Sequence, residues 1–339
     1  MADPRLLLIR MGSLGDVVHA LPTASALRDS FPGARIDWAI EPKWTRILLG
    51  NPGINEQIPI DRKSAGGIVA AVRRLRAAKY TAAIDFQSLY KSALVALASG
   101  ARRRIGFPAS YAREGLAARL YTDCVHPRGA HKVSHNLTLA EYAGARPSPP
   151  RFPLAILDED ENRVDHELRS IGIRDFFVLN PGGGWRSKCW PPERYGDLHR
   201  RLVERCGWRG IVCCGPGEEE LGREVVRAAG QPSPALLQLG LGPLLALLRR
   251  ARFVVSADTG PLHLAAALRV PVIALFGPTD PSRNGPYGWR ASGGVVLRNP
   301  QFAETTYRRG ANYSPSMLSI TVEQVLDAAE RCTQAHSHS

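Results

Sequence analysis

Short apolar runs alternate with amphipathic stretches along this chain of 339 residues. Buried parallel strands are nearly continuous apolar runs, whereas helices repeat an apolar residue every three or four positions. In the first half this pattern predicts strands at 5–9, 35–40 and 82–85 and helices at 16–27, 68–78 and 92–98. In the second half it predicts strands at 176–179, 210–214, 236–239, 253–256 and 272–276. Strands that alternate with helices at this spacing predict an α/β protein with doubly wound parallel sheets.

Prolines mark a junction between the two halves. Residues 144–153 contain four prolines in ten positions, which excludes a regular helix or a central strand. We therefore predict two Rossmann-like domains, at 1–155 and 156–318, that face a central cleft. The last helix, at 319–333, is expected to pack back on the first domain.

Composition and charge narrow the class of protein. A hydrophobic content of 44% and a charged content of 22% are those of a soluble globular protein. No apolar run reaches the ~20 residues of a membrane span, so a cytoplasmic location is expected. The six cysteines have no metal-ligand spacing, and no metal site or cofactor is predicted.

The net charge of +13 is divided unevenly, with +10 in residues 1–150 and +3 in residues 151–339. A basic excess in one half suggests that this half meets an anionic partner. A nucleic acid, an anionic membrane surface and a phosphorylated substrate all remain open. A basic surface with no specific partner is the simpler alternative.

The most informative segment is 256–263, which follows an apolar strand and opens a helix. Asp258, Thr259, Gly260 and His263 would lie at the carboxyl end of a strand, where a helix N-terminus favours a phosphate or diphosphate. Asp and His could also bind the hydroxyls of a sugar. The structural alternative is a helix capped by the Thr259 side chain.

Other loops of the second half also suit phosphate. Residues 180–185 include three glycines, and Lys188 follows as a mobile positive charge. Residues 213–220 end in acids that could accept from ribose hydroxyls. Neither G-x-x-x-x-G-K-[ST] nor G-x-G-x-x-G is present, which disfavours an NTPase and a nicotinamide oxidoreductase.

In the first half, Asp16 follows the first strand beside Ser13 and His19. A carboxylate there is most simply an acid in the first turn of a helix. It also lies at a strand's carboxyl end, where it could act as a general base on a substrate hydroxyl.

Together these segments resemble the heptosyltransferase family of lipopolysaccharide core synthesis, which are inverting glycosyltransferases of the GT-B fold. The resemblance is carried by residues 11–22, 85–92, 188–191, 256–263 and 277–281, and by 111–114 for the enzymes that add the first heptose. It implies transfer from ADP-heptose to a Kdo hydroxyl of a lipid A precursor, without a metal ion. It also implies a peripheral position at the inner face of the inner membrane.

The resemblance implies a role for each matched position. Asp16 would be the catalytic base, and Lys188 would neutralise the leaving diphosphate. The other implied donor-binding residues are Gly183, Gly184, Glu219 at the ribose, Leu239 at the base, Asp258 and His263 at the heptose, and Thr259 and Gly260 at the helix start. The implied acceptor-binding residues are Ser13, Gly15, His19, Arg62, Lys63, Lys91 and Arg113.

Three alternative functions remain open. A member of this family could use another glycan or a protein as acceptor, and a nucleotide-sugar epimerase could share the architecture. A non-catalytic module for anionic ligands is the third. Nucleic acid is not an expected partner, because the aromatic residues that stack on bases are not interleaved with the basic ones.

Overall fold

The computed structural model describes residues 3–302, 305–306 and 310–336, with side chains described as far as residue 333. The chain divides into two compact units, residues 1–155 and 156–339. Within the described residues, no helix has the length and apolar character needed to cross a bilayer.

The first unit contains a six-stranded parallel sheet with the strand order β3-β2-β1-β4-β5-β6. Its strands are β1 Arg5–Ile9, β2 Arg35–Ile40, β3 Glu56–Pro59, β4 Ala82–Asp85, β5 Arg103–Gly106 and β6 Asp123–Cys124. Leu7 of β1 lies opposite Asp37 of β2 and Ala83 of β4. The fully buried residues 7–9 explain why β1 is a continuous apolar run.

Four α-helices cover this sheet: α1 Leu14–Ser30, α2 Ala65–Ala77, α3 Tyr90–Ala98 and α4 Lys132–Tyr142. Two 3₁₀ helices, Pro42–Leu48 and Gly115–Leu120, complete the unit. Helix α1 packs on α4, whereas α3 packs on both α2 and the Gly115–Leu120 helix. Leu7 and Ile9 belong to the same core cluster as Leu75 of α2 and Ala96 of α3.

The second unit has a parallel sheet of the order β12-β11-β10-β7-β8-β9. Its strands are β7 Phe176–Asn180, β8 Arg209–Cys213, β9 Ala235–Leu237, β10 Val254–Ala257, β11 Val272–Leu275 and β12 Val295–Leu297. Its α-helices are α5 Asp158–Ser170, α6 Pro192–Cys206, α7 Glu219–Ala229, α8 Leu241–Arg250, α9 Gly260–Ala267, α10 Pro281–Asn284, α11 Pro315–Leu318 and α12 Val322–His336. Short 3₁₀ helices span Arg186–Lys188, Trp289–Ser292 and Pro300–Phe302.

The last helix packs within the second unit, and its expected packing on the first domain stays a prediction. Helix α12 contacts α6, β11 and β12, all within the second unit. Its apolar side chains Val325 and Leu326 are buried in the same cluster as Leu198 of α6 and Leu275 of β11. The helix is therefore needed to complete the core over the second sheet.

Each sheet has one place where the order of its strands reverses, between β1 and β4 in the first unit and between β7 and β10 in the second. At such a switch point the loops leave the carboxyl ends of neighbouring strands in opposite directions and open a crevice. Ligands of open α/β sheets bind there, so the two crevices are where functional residues are expected.

Candidate functional site

At the switch point of the first unit, Asp16 lies in the first turn of α1 among three polar partners. Its carboxylate forms ion pairs with the Arg10 guanidinium at 2.5 Å and with Lys132 Nζ at 2.7 Å. The Ser13 hydroxyl donates to it at 2.9 Å. Ser13 is the N-cap residue of α1, but its own side chain makes no capping bond.

Burial would raise the pKa of Asp16, but its surroundings outweigh that effect. The positive charges of Arg10 and Lys132, with a smaller contribution from His19, hold the pKa well below its ordinary value. The Asp16 carboxylate is therefore ionised at any pH at which the protein would work. An ionised carboxylate is the form that a general base requires.

The loop after β4 fixes Arg10 in place. The Arg10 guanidinium donates to the carbonyl oxygen of Phe86 at 2.7 Å, and the Gln87 side chain accepts from the N–H of Met11 at 2.9 Å. The loop is itself held by Asp85, which accepts from the N–H of Gln87. Burial is the main reason that the pKa of Asp85 is raised.

Two of the predicted acceptor residues meet on a carboxylate that the sequence did not single out. Glu41, directly after β2, accepts from Arg62 at 2.9 Å and from Lys91 at 3.3 Å. Although burial opposes it, the charge of Lys91 and the hydrogen bond from Arg62 lower the pKa of Glu41. These two cations are therefore held at the same edge of the sheet as the loop of Asp16.

The remaining acceptor candidates differ in accessibility. Gly15 and His19 are buried inside α1, and the His19 ring lies 5.2 Å from that of His131. Lys63 and Arg113 are exposed. A side chain in contact with a substrate needs access, so His19 is better placed to support α1 than to bind an acceptor.

In the second unit, Lys188, Asp258 and His263 form one buried cluster. Lys188 Nζ lies 3.3 Å from Asp258 Oδ2, and His263 Nε2 lies 3.2 Å from Asp258 Oδ1. Lys188 also lies over the Trp185 ring, at 4.4 Å from its centroid. The sequence predicted a mobile lysine, but this one is held by a counter-ion and an aromatic face.

Burial opposes ionisation of Asp258, yet the hydrogen bond from His263 and the charge of Lys188 together lower its pKa far below the ordinary value. The cluster therefore combines a fixed carboxylate with a nearby cation at the start of α9. Gly260 is the first residue of that helix. Its N-terminus adds positive potential where an anion could bind.

The structural alternative for Thr259 is confirmed in its position at the start of α9 but not in its side-chain bond. Thr259 is the N-cap residue, but its hydroxyl makes no capping bond. It lies 3.1 Å from Asn180 Oδ1 and 2.8 Å from the hydroxyl of Ser256. Asn180 thus joins the ends of β7 and β10 and holds the Thr259 hydroxyl away from the N–H groups of the helix.

The glycine loop after β7 is shaped by Glu218, one residue before the acid that the sequence singled out. Glu218 Oε1 accepts from the N–H groups of Gly183 and Gly184, each at 3.1 Å. A Cβ atom at Gly182 would collide with the same carboxylate. Glu219 instead accepts from the N–H of Gly217 at 3.0 Å. The glycines therefore permit close approach of another group to the backbone, and in this structure that group is the Glu218 carboxylate.

Leu239, predicted at the nucleotide base, lines a cavity of about 270 Å³ beyond the end of β9. Glu167 of α5, together with residues 236–238, forms the rest of the lining. Its lining is more polar than apolar, with the Glu167 carboxylate beside leucine side chains.

Comparisons with known proteins decide the family. The sequence model described as glycosyltransferase family 9 (heptosyltransferase) matches residues 68–309. The chain belongs to the heptosyltransferase family. It is 33% identical to lipopolysaccharide heptosyltransferase 1 of Pseudomonas aeruginosa over 298 residues, which cover 84% of this chain and 81% of that protein.

Solved structures confirm the GT-B fold of this heptosyltransferase. A family 9 glycosyl transferase from Veillonella parvula matches with a TM-score of 0.85 at 24% identity, covering 99% of this chain and 98% of that one. The Escherichia coli heptosyltransferase WaaC, solved with ADP-2-deoxy-2-fluoro heptose, matches with a TM-score of 0.74 at 27% identity. That match covers 96% of this chain and 99% of WaaC. The family, the fold and the class of enzyme predicted from the motifs are all confirmed.

Sequence reasoning missed several residues that shape the two clusters. Arg10 directly follows the apolar run of β1, which is a usable local signal for a residue at the sheet edge. Lys132 lies 116 positions from Asp16, and nothing in its own sequence context marks it as a partner. Asn180 and Glu218 lie in two loops that the sequence marks as suited to phosphate, but the site residues predicted there are the glycines and Glu219.

Proposed function

We propose that this heptosyltransferase transfers heptose from ADP-heptose to a Kdo hydroxyl of a lipid A-type acceptor, with inversion at the anomeric carbon and without a metal ion. The names of its relatives and the complex of WaaC with an ADP-heptose analogue support this donor and this pathway. We place the reaction at the inner face of the inner membrane. The observation that carries the proposal is the Asp16 carboxylate, held ionised at the switch point of the first sheet.

On the donor side, the diphosphate would bind between Lys188 and the N-terminus of α9. Lys188 supplies a full positive charge in a buried position, and the helix end adds oriented N–H groups. These charges stabilise the negative charge that develops on the departing ADP. Asp258 and His263 would bind the heptose, Glu219 the ribose and Leu239 the base.

On the acceptor side, the two cations around Asp16 suggest how the base is activated. Kdo carries a carboxylate, which can compete with Asp16 for Arg10 and Lys132. Once the acceptor has drawn one cation away, the pKa of Asp16 rises and the carboxylate becomes a stronger base. An anionic acceptor would thus increase the basicity of the group that deprotonates it.

The proposed step balances without another reactant. Asp16 takes the proton of the attacking Kdo hydroxyl, whose oxygen forms a bond to the anomeric carbon of the heptose. The bond from that carbon to the diphosphate oxygen breaks, and its electron pair leaves with ADP. Attack opposite the leaving group inverts the anomeric configuration.

The test is acceptor-dependent release of ADP from ADP-heptose, measured with and without EDTA, with the anomeric configuration of the product read by NMR. We expect release only with a Kdo-containing acceptor, no effect of EDTA, and an inverted product. Release without acceptor would favour an epimerase-like elimination. Transfer to a neutral glycan but not to Kdo would contradict the proposed acceptor.

A further inference from the structure

Exposed apolar side chains are concentrated on one part of the first unit. Seven of the eleven large apolar side chains exposed among the described residues lie between residues 68 and 116. Tyr90, Leu94 and Leu97 occupy positions i, i+4 and i+7 of α3 and therefore share a face. Leu116, 62% exposed, lies on the 3₁₀ helix packed against α3. We call these four residues the apolar stripe.

The surroundings of the apolar stripe are strongly basic. Residues 65–120 contain ten Lys and Arg but only two acids, and one of these, Asp85, is fully buried. The other, Glu114, accepts from the N–H of Tyr90. Several exposed arginines of this segment form no ion pair with any described residue: Arg73, Arg102, Arg113 and Arg119. Their charge is available to an anionic partner.

The two ends of α3 have different surroundings. Beyond its C-terminus, Arg76, Lys79 and Arg102 line an open cavity of about 550 Å³ together with Gly100. Its N-terminus follows β4 at the carboxyl edge of the sheet, where Lys91 contacts Glu41. The apolar stripe therefore runs from the edge that carries the acceptor candidates to a cationic hollow.

We propose that the apolar stripe and the exposed arginines around it dock this protein on an anionic lipid surface. Leu94, Leu97 and Leu116 would enter the interface between headgroups and acyl chains, and the arginines would contact lipid phosphates. Apolar area combined with basic charge is what binds proteins to anionic bilayers. A second copy is a poorer occupant, because a two-fold contact across the stripe would bring arginines against their own copies.

This inference extends the proposed function, in which the acceptor is held in the same membrane by its acyl chains. Docking along α3 would keep the carboxyl edge of the first sheet beside the headgroups, where an acceptor sugar is presented. Lipid binding itself requires neither donor nor acceptor, so it can be tested independently.

The experiment is co-sedimentation of the full chain with vesicles of phosphatidylcholine, with or without an equal part of phosphatidylglycerol. We expect binding to the anionic vesicles only, weakened by salt. The double substitution Leu94→Gln and Leu97→Gln is expected to reduce that binding at least about tenfold, from the apolar area that it removes. Leu318→Gln is the matched control, because Leu318 and Leu94 are both 41% exposed and Leu318 lies in the second unit.

A second variant, with Arg102→Gln and Arg119→Gln, tests the contribution of positive charge. Each substitution is expected to weaken binding to the anionic vesicles roughly fivefold. If the double leucine variant does not fold, Leu116→Gln provides the same test at a more exposed position. Equal binding of wild type and stripe variants would overturn the proposal. So would a dimer that the leucine substitutions dissociate without changing vesicle binding.

Activity separates this inference from the proposed function. Stripe variants should transfer heptose to a deacylated, water-soluble acceptor at the wild-type rate and lose transfer to an acceptor embedded in vesicles. Wild type that binds vesicles but uses neither acceptor would contradict the proposed function and leave the docking surface standing. Equal loss on both acceptors would contradict the docking role.

Discussion

Replacing Asp258 by asparagine would leave the buried Lys188 ammonium without its counter-ion. Lys188 and Asp258 are only 9% and 12% exposed at the side chain, and their charged atoms are 3.3 Å apart. At an effective dielectric constant of ~20, this separation corresponds to about 5 kcal/mol of attraction. Removing one partner of such a pair typically destabilises a protein by about 3–5 kcal/mol, because the other charge stays buried.

This loss should be visible by differential scanning calorimetry of the full chain. For a unit of this size, Asp258→Asn should lower the Tm of the second unit by roughly 6 to 20 °C. Adding Lys188→Met should restore much of the lost stability, since the buried ammonium is then removed together with its counter-ion. Asp197→Asn is the control, because Asp197 pairs with Arg200 and Arg201 on the surface and should contribute less than about 1 kcal/mol.

Two results would contradict a buried Lys188–Asp258 pair. One is an Asp258→Asn variant no less stable than Asp197→Asn, which would mean that Lys188 reaches solvent without cost. The other is a double variant less stable than Asp258→Asn alone. Either would show that the cluster is not a buried, mutually neutralising site, and the donor site built on it would have to be revised.

Three further outcomes follow from other side chains. Burial lowers the pKa of His199 from 6.5 to about 4. The free energy of unfolding should therefore be highest above pH 6.5 and fall by up to about 3 kcal/mol as the pH drops to 4. In urea unfolding, His199→Leu should flatten this pH dependence. Glu218→Gln should loosen residues 182–184 and weaken the affinity for ADP, measured by calorimetry, about threefold to tenfold. Tighter ADP binding by this variant would mean that Glu218 competes with the diphosphate. Lys132→Met should raise the pKa of Asp16 in a ¹³C NMR titration, because it removes one of the two cations that lower it, and an unchanged pKa would contradict the role given to that ion pair.

The central strands could be predicted from the sequence, because a strand that is buried on both faces consists mostly of apolar residues. Strands β1, β4, β7 and β10 all follow this rule. The edge strands of the first sheet could not be predicted, whereas the edge strand β9 of the second sheet was. In the first sheet, β3 spans Glu56–Pro59 and β6 only Asp123–Cys124. Their pairing is imposed by the neighbouring strand rather than by their own residues.

Those site residues that directly follow a predicted strand could be predicted from the sequence. Asp16 and Asp258 could be found because each comes shortly after a buried apolar run. The choice between Glu218 and Glu219 depends on where α7 begins, and helix starts are not fixed by composition to within one residue. The surface that α12 covers could not be predicted either. An amphipathic pattern shows that a helix has an apolar face, but it does not identify the element on which that face packs.

We propose Asp16 as the base of a heptosyl transfer, and Asp16→Asn removes its capacity to accept the proton. The variant keeps the shape of the side chain, so it should bind ADP as wild type does while its rate of transfer to a Kdo acceptor falls by ~10²–10⁴. Transfer at a rate within a few fold of wild type, with ADP binding unchanged, would contradict the claim.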